Sequence, residues 1–308
     1  VTELWIPITI AAAFLQNARS ALQKSLKERL SNTGATYVRF AFGFPIAAVY
    51  LGALALYLDE PLPVPDPAFF AYGGLGGLAQ ILGTATLLHV FSLRSFAVGT
   101  AYSKTEPVQT VLFGILLLGE GVAPIAALAI GVSVAGVILL GFARSPSRGG
   151  DLWRMFFDRG AGLGLLSGTL FGLAAVCYRA ASLSLDTGAL EGGGVEFLRA
   201  AFTLAGVLGF QAVVMTIDLG IRDPPELRRV LQAWQPSLRV GICGAFASVC
   251  WFTAMTFQNA AHVRALGQVE LLFALAASWL FFRERILGME LLGILLLLAG
   301  ILGLVLTL

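Results

Sequence analysis

The sequence predicts an all-α polytopic membrane protein with ten transmembrane helices arranged as two inverted five-helix repeats. Three observations carry this expectation. The chain of 308 residues is 57% hydrophobic and 12% charged, with mean hydropathy +0.85, whereas a soluble domain carries about 25% charge. Its apolar residues fall in runs that match a hydrocarbon core of ~30 Å, which requires ~20 residues per helix. An acidic pair also recurs. Glu106 and Glu120 lie fourteen residues apart, as do Glu270 and Glu284, and each member is displaced by 164 positions.

Ten segments reach spanning length: roughly 4–26, 34–57, 68–91, 96–118, 122–142, 160–183, 193–217, 236–258, 262–282 and 287–308. All-round hydrophobicity and frequent glycine favour helices over barrel strands, which alternate in pieces of about ten residues. Segment 1 lacks a basic n-region and a small-residue cleavage site, so it reads as a retained helix rather than a signal peptide. The longest connections, 143–159 and 218–235, are too short for a catalytic domain. The sequence has no P-loop, nucleophile elbow or H-E-x-x-H. No enzymatic activity, no ATP hydrolysis by this chain and no cofactor is therefore expected. Cys177, Cys243 and Cys250 lie in apolar spans without C-x-x-C spacing, as small buried hydrophobes do. His89 and His262 are far apart near span ends, which does not make a metal site.

The net charge of +2 conceals a sorting by side. Thirteen basic residues border the loops after segments 1, 3, 5, 7 and 9: Lys27, Arg29, Arg94, Arg144, Arg148, Arg154, Arg159, Arg222, Arg228, Arg229, Arg239, Arg283 and Arg285. The opposite side has Arg264 alone, with Asp59, Glu60, Asp66, Asp186 and Glu191 in its loops. The positive-inside rule places the basic loops in the cytoplasm and both termini outside a bacterial cytoplasmic (inner) membrane. A small-molecule substrate and the bilayer are the expected partners, with protons as candidate coupling ions. No nucleic acid is expected, and the chain is expected to be a monomer or weak dimer.

The segments divide into a first repeat (1–143), a linker (144–159) and a second repeat (160–308). Lys24 matches Arg179 at an offset of 155, Val38-Arg39 matches Leu198-Arg199 at 160, and Ala101, Glu106 and Glu120 match Ala265, Glu270 and Glu284 at 164. The offset grows only at loops. Five helices per unit is an odd number, so the second unit enters the membrane from the opposite side. The expected product is an inverted repeat about an axis in the membrane plane.

The segment 4 run Ala101, Tyr102, Glu106-Pro107-Val108 with Gly119-Glu120, and the segment 9 run Ala265 to Glu270 with Glu284, resemble the drug/metabolite transporter superfamily in its ten-helix EamA-type branch. The resemblance covers essentially the whole chain. It implies alternating-access transport of small metabolites, often export of amino acids or related compounds. One departure is Leu271, which stands where the second half would carry a proline. If Pro107 breaks segment 4, segment 9 is expected to be straighter.

A carboxylate or guanidinium at bilayer depth is costly unless paired, hydrated or neutralised. Arg19, Lys24, Arg39, Lys104, Arg179 and Arg199 fall within spans, against Glu106, Glu196 and Glu270. Gln16, Arg19, Ser20 and Gln23 share one helical face, which must meet protein or water rather than lipid. That face is either a cavity lining or an ion-pair seam. Tyr102, Glu106 and Gln109 share a face of segment 4. Lys104 lies about 200° from Glu106 and turns to a neighbouring helix or the cytoplasmic end. The candidate substrate contacts are Arg19, Gln16, Tyr102, Glu106, Gln109, Arg179, Arg199, Trp251 and Glu270. Glu106 and Glu270 are also the proton-coupling candidates, unless Glu106 only neutralises Arg19. The basic excess favours a carboxylate, phosphate or zwitterion. Gly160, Gly164, Gly168 and Gly172, and Gly73 with Gly77, predict close helix contacts. Tyr178, Trp251 and Phe252 serve packing or stacking on a substrate. A lipid-headgroup flippase and a non-transporting scaffold are the alternative function classes.

Overall fold

The computed structural model describes residues 3–26, 29–90, 103–143, 159–187, 194–273 and 288–306. The described helices are α1 (Trp5–Leu26), α2 (Asn32–Leu58), α3 (Pro67–Val90), α4 (Glu106–Phe113), α5 (Pro124–Ala143), α6 (Arg159–Ser184), α7 (Val195–Arg222), α8 (Pro224–Gln232), α9 (Trp234–Phe257), α10 (Ala260–Leu266) and α11 (Gly288–Leu306). Apart from one isolated bridge between Val64 and Asp186, no β pairing occurs among the described residues.

Four of these helices are long and apolar enough to cross a membrane: α2, α6 from Gly162, α7 and α9. Shorter apolar helices cover Glu106–Leu118, Pro124–Leu140 and Leu291–Leu306. The expectation of ten spans is thus met in part. Helices α1 and α3 have spanning length at 22 and 24 residues. Helix α1 carries a polar set, Gln16, Asn17, Arg19 and Gln23. Segments 4 and 9 are described only over 103–118 and 262–273.

Local chemistry explains the helix ends. Ser31 caps α2 by accepting the Gly34 N–H, and Asp66 accepts the Phe69 N–H at the start of α3. Asn259 does the same for α10 through the Ala261 N–H. Helix α4 begins with Glu106-Pro107, where a missing N–H costs nothing. It runs into a π-helical turn, Gly114–Leu118, which Gly119 ends at φ 67°, a conformation open to glycine.

The chain forms two compact units, and each draws on both sequence halves. The first comprises Val1–Leu78 and Cys177–Gln258. In it α1 and α2 pack on α9, and α2 and α9 on α7. The second comprises Ala79–Val176 and Asn259–Leu308. There α5 lies along α11, and α10 along α4. The α5–α11 contact is made by glycine. A Cβ on Gly136 would sit 2.7 Å from the Gly293 carbonyl oxygen, so no side chain fits between these backbones. Two of the glycines expected in helix contacts behave alike in the second unit. A Cβ on Gly168 would meet Ser103 O at 2.8 Å, and one on Gly172 would meet Thr110 Oγ1 at 3.0 Å. In the first unit Gly77 faces Phe210 and Gln211.

The connection 218–235 is helical rather than irregular. Helix α7 continues to Arg222, and α8 fills the rest. Helix α8 is amphipathic, and its buried face presents Val230 and a carboxylate, Glu226, at 0% exposure. Glu226 Oε1 accepts the Ser31 N–H at 2.6 Å and packs against Gly34, while Arg229 pairs with it at 3.1 Å. It thus satisfies an N–H at the start of α2 that the helix itself leaves open.

Candidate functional site: crossed ion pairs at two helix interruptions

In the second unit, helical hydrogen bonding is interrupted at matched places of both halves. The first lies at Lys104-Thr105, just before α4. The second lies at Gly267-Gln268, after α10, and the helix resumes at Val269. Here the N–H groups of Gln268, Glu270 and Leu271 reach back three residues, to Ala265, Gly267 and Gln268, instead of four. This tighter turn overturns the expectation that segment 9 is straighter. Leu271 keeps an N–H where Pro107 has none, and donates it to Gln268 O at 2.9 Å. The interruption therefore does not need the proline.

Each interruption presents a glutamate, and each glutamate takes its cation from the other half. Arg264 Nε lies 3.0 Å from Glu106 Oε1, both side chains 13% exposed. Lys104 Nζ lies 3.2 Å from Glu270 Oε2, at 26% and 14% exposure. Gln268 Nε2 donates to Lys104 O at 3.1 Å and ties one interruption to the other. Lys104 accordingly turns to a neighbouring helix, one of the two orientations its spacing allowed. Charges this sheltered are tolerated because each is matched at contact distance.

Arg264 is the residue that sequence reasoning missed. The charge sorting places it as the one basic residue bordering a loop on the acidic side, but it sits inside α10. Its position six residues before Glu270, in the same apolar run, was the available signal. The described partner of Glu106 is Arg264 rather than Arg19. Gln109 lies one turn after Glu106 in α4, its Oε1 facing the position a Cβ on Gly168 would take, at 2.9 Å. Tyr102 lies outside the described residues.

The remaining candidates lie in the first unit. Trp251 Nε1 donates to Gln16 Oε1 at 3.0 Å, joining α1 to α9. Arg19 and Arg39 converge on Gly244 of α9. A Cβ there would stand 3.2 Å from Arg19 Cδ and 3.7 Å from Arg39 Cγ. Arg179 Nη1 points at the carbonyls of Met255, Thr256 and Gln258, at 2.8, 3.2 and 2.9 Å. It closes the C-terminus of α9, where a cation suits the helix dipole. Arg199 Nη2 reaches Thr187 Oγ1 at 3.1 Å and Leu185 O at 3.4 Å, holding the segment after α6. Tyr178 is buried, donates to Gly76 O and stacks on Phe252 at 4.7 Å, which is packing. Gln211, fully buried, donates to Gly77 O and to the Tyr178 hydroxyl.

Apolar helices of spanning length, and sheltered charges matched between two sequence halves, define an integral membrane protein built by duplication. The chain belongs to the EamA-like transporter family, whose model matches residues 3–142 and 158–306, one block in each half. No curated protein sequence matches it significantly. Among solved chains that resemble it, one described as "Crystal structure of protein" superposes with a TM-score of 0.72 at 16% identity, covering 100% of this chain and 97% of that one. At that identity the likeness speaks for the fold.

Proposed function

We propose that this protein is a secondary transporter that moves a small polar or amphipathic metabolite, an amino acid or related organic anion, across the bacterial cytoplasmic membrane by alternating access, in the direction of export. The observation that supports this is the pair of crossed ion bridges at the two interruptions. An interrupted helix has backbone hydrogen bonds it can remake, and a charge pair shared between halves links the state of one half to the other. Glu106 and Glu270 are the coupling residues. A proton on either carboxyl releases its cation, and only such a differential interaction shifts the balance between two states. Arg19, Gln16 and Trp251 are proposed substrate contacts.

Proteoliposomes supplied with labelled metabolites test this. Uptake is expected to respond to an imposed pH gradient. Glu106→Gln or Glu270→Gln is expected to remove the response and spare substrate exchange, and Arg19→Ala is expected to slow transport. A wild-type rate indifferent to the gradient rejects proton coupling and leaves exchange or facilitated diffusion. Orientation has its own test. A cysteine at Ser147 in a cysteine-free background is expected to resist an impermeant thiol reagent in spheroplasts, while one at Asp186 reacts. The reverse labelling inverts the topology.

A further inference from the structure

Helix α8 has one face fixed to the first unit and one face turned outward. On the inner side Val230, with Ala233 just after the helix, joins Leu26, Leu30, Val38 and Val240 in a buried cluster. Glu226 holds the Ser31 N–H there and is paired with Arg229. Positions 228 and 231 lie about 200° and 140° around the helix from Glu226, on the opposite side. Arg228 is exposed and Leu231 is 68% exposed. Trp234, at the start of α9, is 52% exposed. Arg239, also exposed, follows about 7.5 Å further along that helix. Arg222 is paired with Asp218, and Arg229 with Asp223 and Glu226. Arg228 and Arg239 have no ion-pair partner among the described residues.

Connectivity fixes what surrounds this outward face. One residue, Asp223, separates α8 from α7, and one, Ala233, separates it from α9. Both neighbours are long and apolar enough to cross a membrane, so α8 is held at the membrane boundary and no linker carries it into the water beyond. An outward leucine and tryptophan beside unpaired guanidinium groups suit neither bulk water nor hydrocarbon. The headgroup layer accepts both, the ring and chain at the acyl boundary and the cations at the phosphates. We propose that the outward face of α8 and the start of α9 bind an anionic phospholipid, with Arg228 and Arg239 on its phosphate and Leu231 and Trp234 against its acyl chains. Charge complementarity selects a lipid of net negative charge. A zwitterionic headgroup brings an ammonium of its own, which two unpaired arginines repel, whereas their planar forks match a phosphate. Such a site is independent of what the protein carries.

The test reconstitutes the full-length protein in phosphatidylcholine vesicles doped with brominated phosphatidylglycerol or, in parallel, brominated phosphatidylcholine. Bromine quenches tryptophan fluorescence on contact, and the part due to Trp234 is the difference from Trp234→Phe. Brominated phosphatidylglycerol is expected to quench Trp234 at a lower mole fraction than brominated phosphatidylcholine. Arg228→Gln and Arg239→Gln are each expected to lower that preference about fivefold, and the two together to abolish it. Arg222→Gln, whose arginine is already paired, is expected to leave it nearly unchanged. Helical circular dichroism checks that each variant is folded, and the single variants decide the matter if the double one is not. Equal quenching of the wild type by the two lipids overturns the proposal. So does a preference that survives both arginine substitutions. A loss in Arg222→Gln as large as in Arg228→Gln overturns it too, because the attraction then belongs to the basic connection as a whole and not to a site.

Discussion

The interruption before α4 and the one after α10 occupy matched positions, yet they differ in how they are made. The first precedes Glu106-Pro107, whose ring forbids a backbone donation. The second precedes Glu270-Leu271 and keeps every N–H, but turns them to nearer carbonyls. The same local shape therefore arises with and without proline. What the two share is the glutamate and its cross-half cation. The ion pairing across the duplication accompanies both interruptions, whereas the proline accompanies only the first.

Breaking the pairing is expected to have the largest effect. Arg264→Ala strands the Glu106 carboxylate in a site where it is 13% exposed, and loss of one partner of a buried pair costs about 3–5 kcal/mol. Thermal unfolding in detergent reads this, and the double variant Glu106→Gln/Arg264→Gln is expected to regain most of it. Equal damage in single and double variants means that the charge pairing is not what holds the two segments. Lys104→Ala is expected to cost less, about 1–3 kcal/mol, because the Lys104 ammonium is more open to water, at 26% against 13% for Arg264. If Lys104→Ala proves the costlier, exposure does not rank the two pairs.

Glu226→Ala provides a control outside the comparison. It removes a fully buried carboxylate, but Arg229 is 49% exposed and rehydrates on losing it. The loss is the Ser31 N–H bond and some packing, about 1–3 kcal/mol. A drop as large as that of Arg264→Ala would show that burial of the acid, rather than stranding of a charge, sets the cost. The smallest effects are expected at the proline itself. Pro107→Leu should change stability by no more than about 1 kcal/mol, and Leu271→Pro should cost about 1 kcal/mol for the N–H bond to Gln268. Loss of folded protein on Pro107→Leu would make the proline, not the pairing, the cause of the first interruption.

Much of the site was visible as single residues. Glu106 and Glu270 stood out because a charge inside an apolar run is anomalous against its neighbours. Gln109 followed from sharing a helical face with Glu106. The partners were not visible. Arg264 sits close to the edge of its apolar run, where a basic residue resembles a loop charge. Lys104 pairs with a residue 166 positions away. Helix α8 was hidden because its apolar residues are too few for a span, and nothing in the sequence singles out Glu226 from an exposed loop carboxylate.

Sequence alone determined that the chain lives in a bilayer and that it is a duplication, because hydropathy and repeat offset are properties read along one dimension. It also supplied the glutamates, since their cost in hydrocarbon does not depend on which helix stands beside them. The tertiary structure decided which cation meets which carboxylate and that Glu226 is buried under α2. Those outcomes depend on which helices lie together, and helical periodicity specifies the face a residue occupies but not the neighbour that face meets.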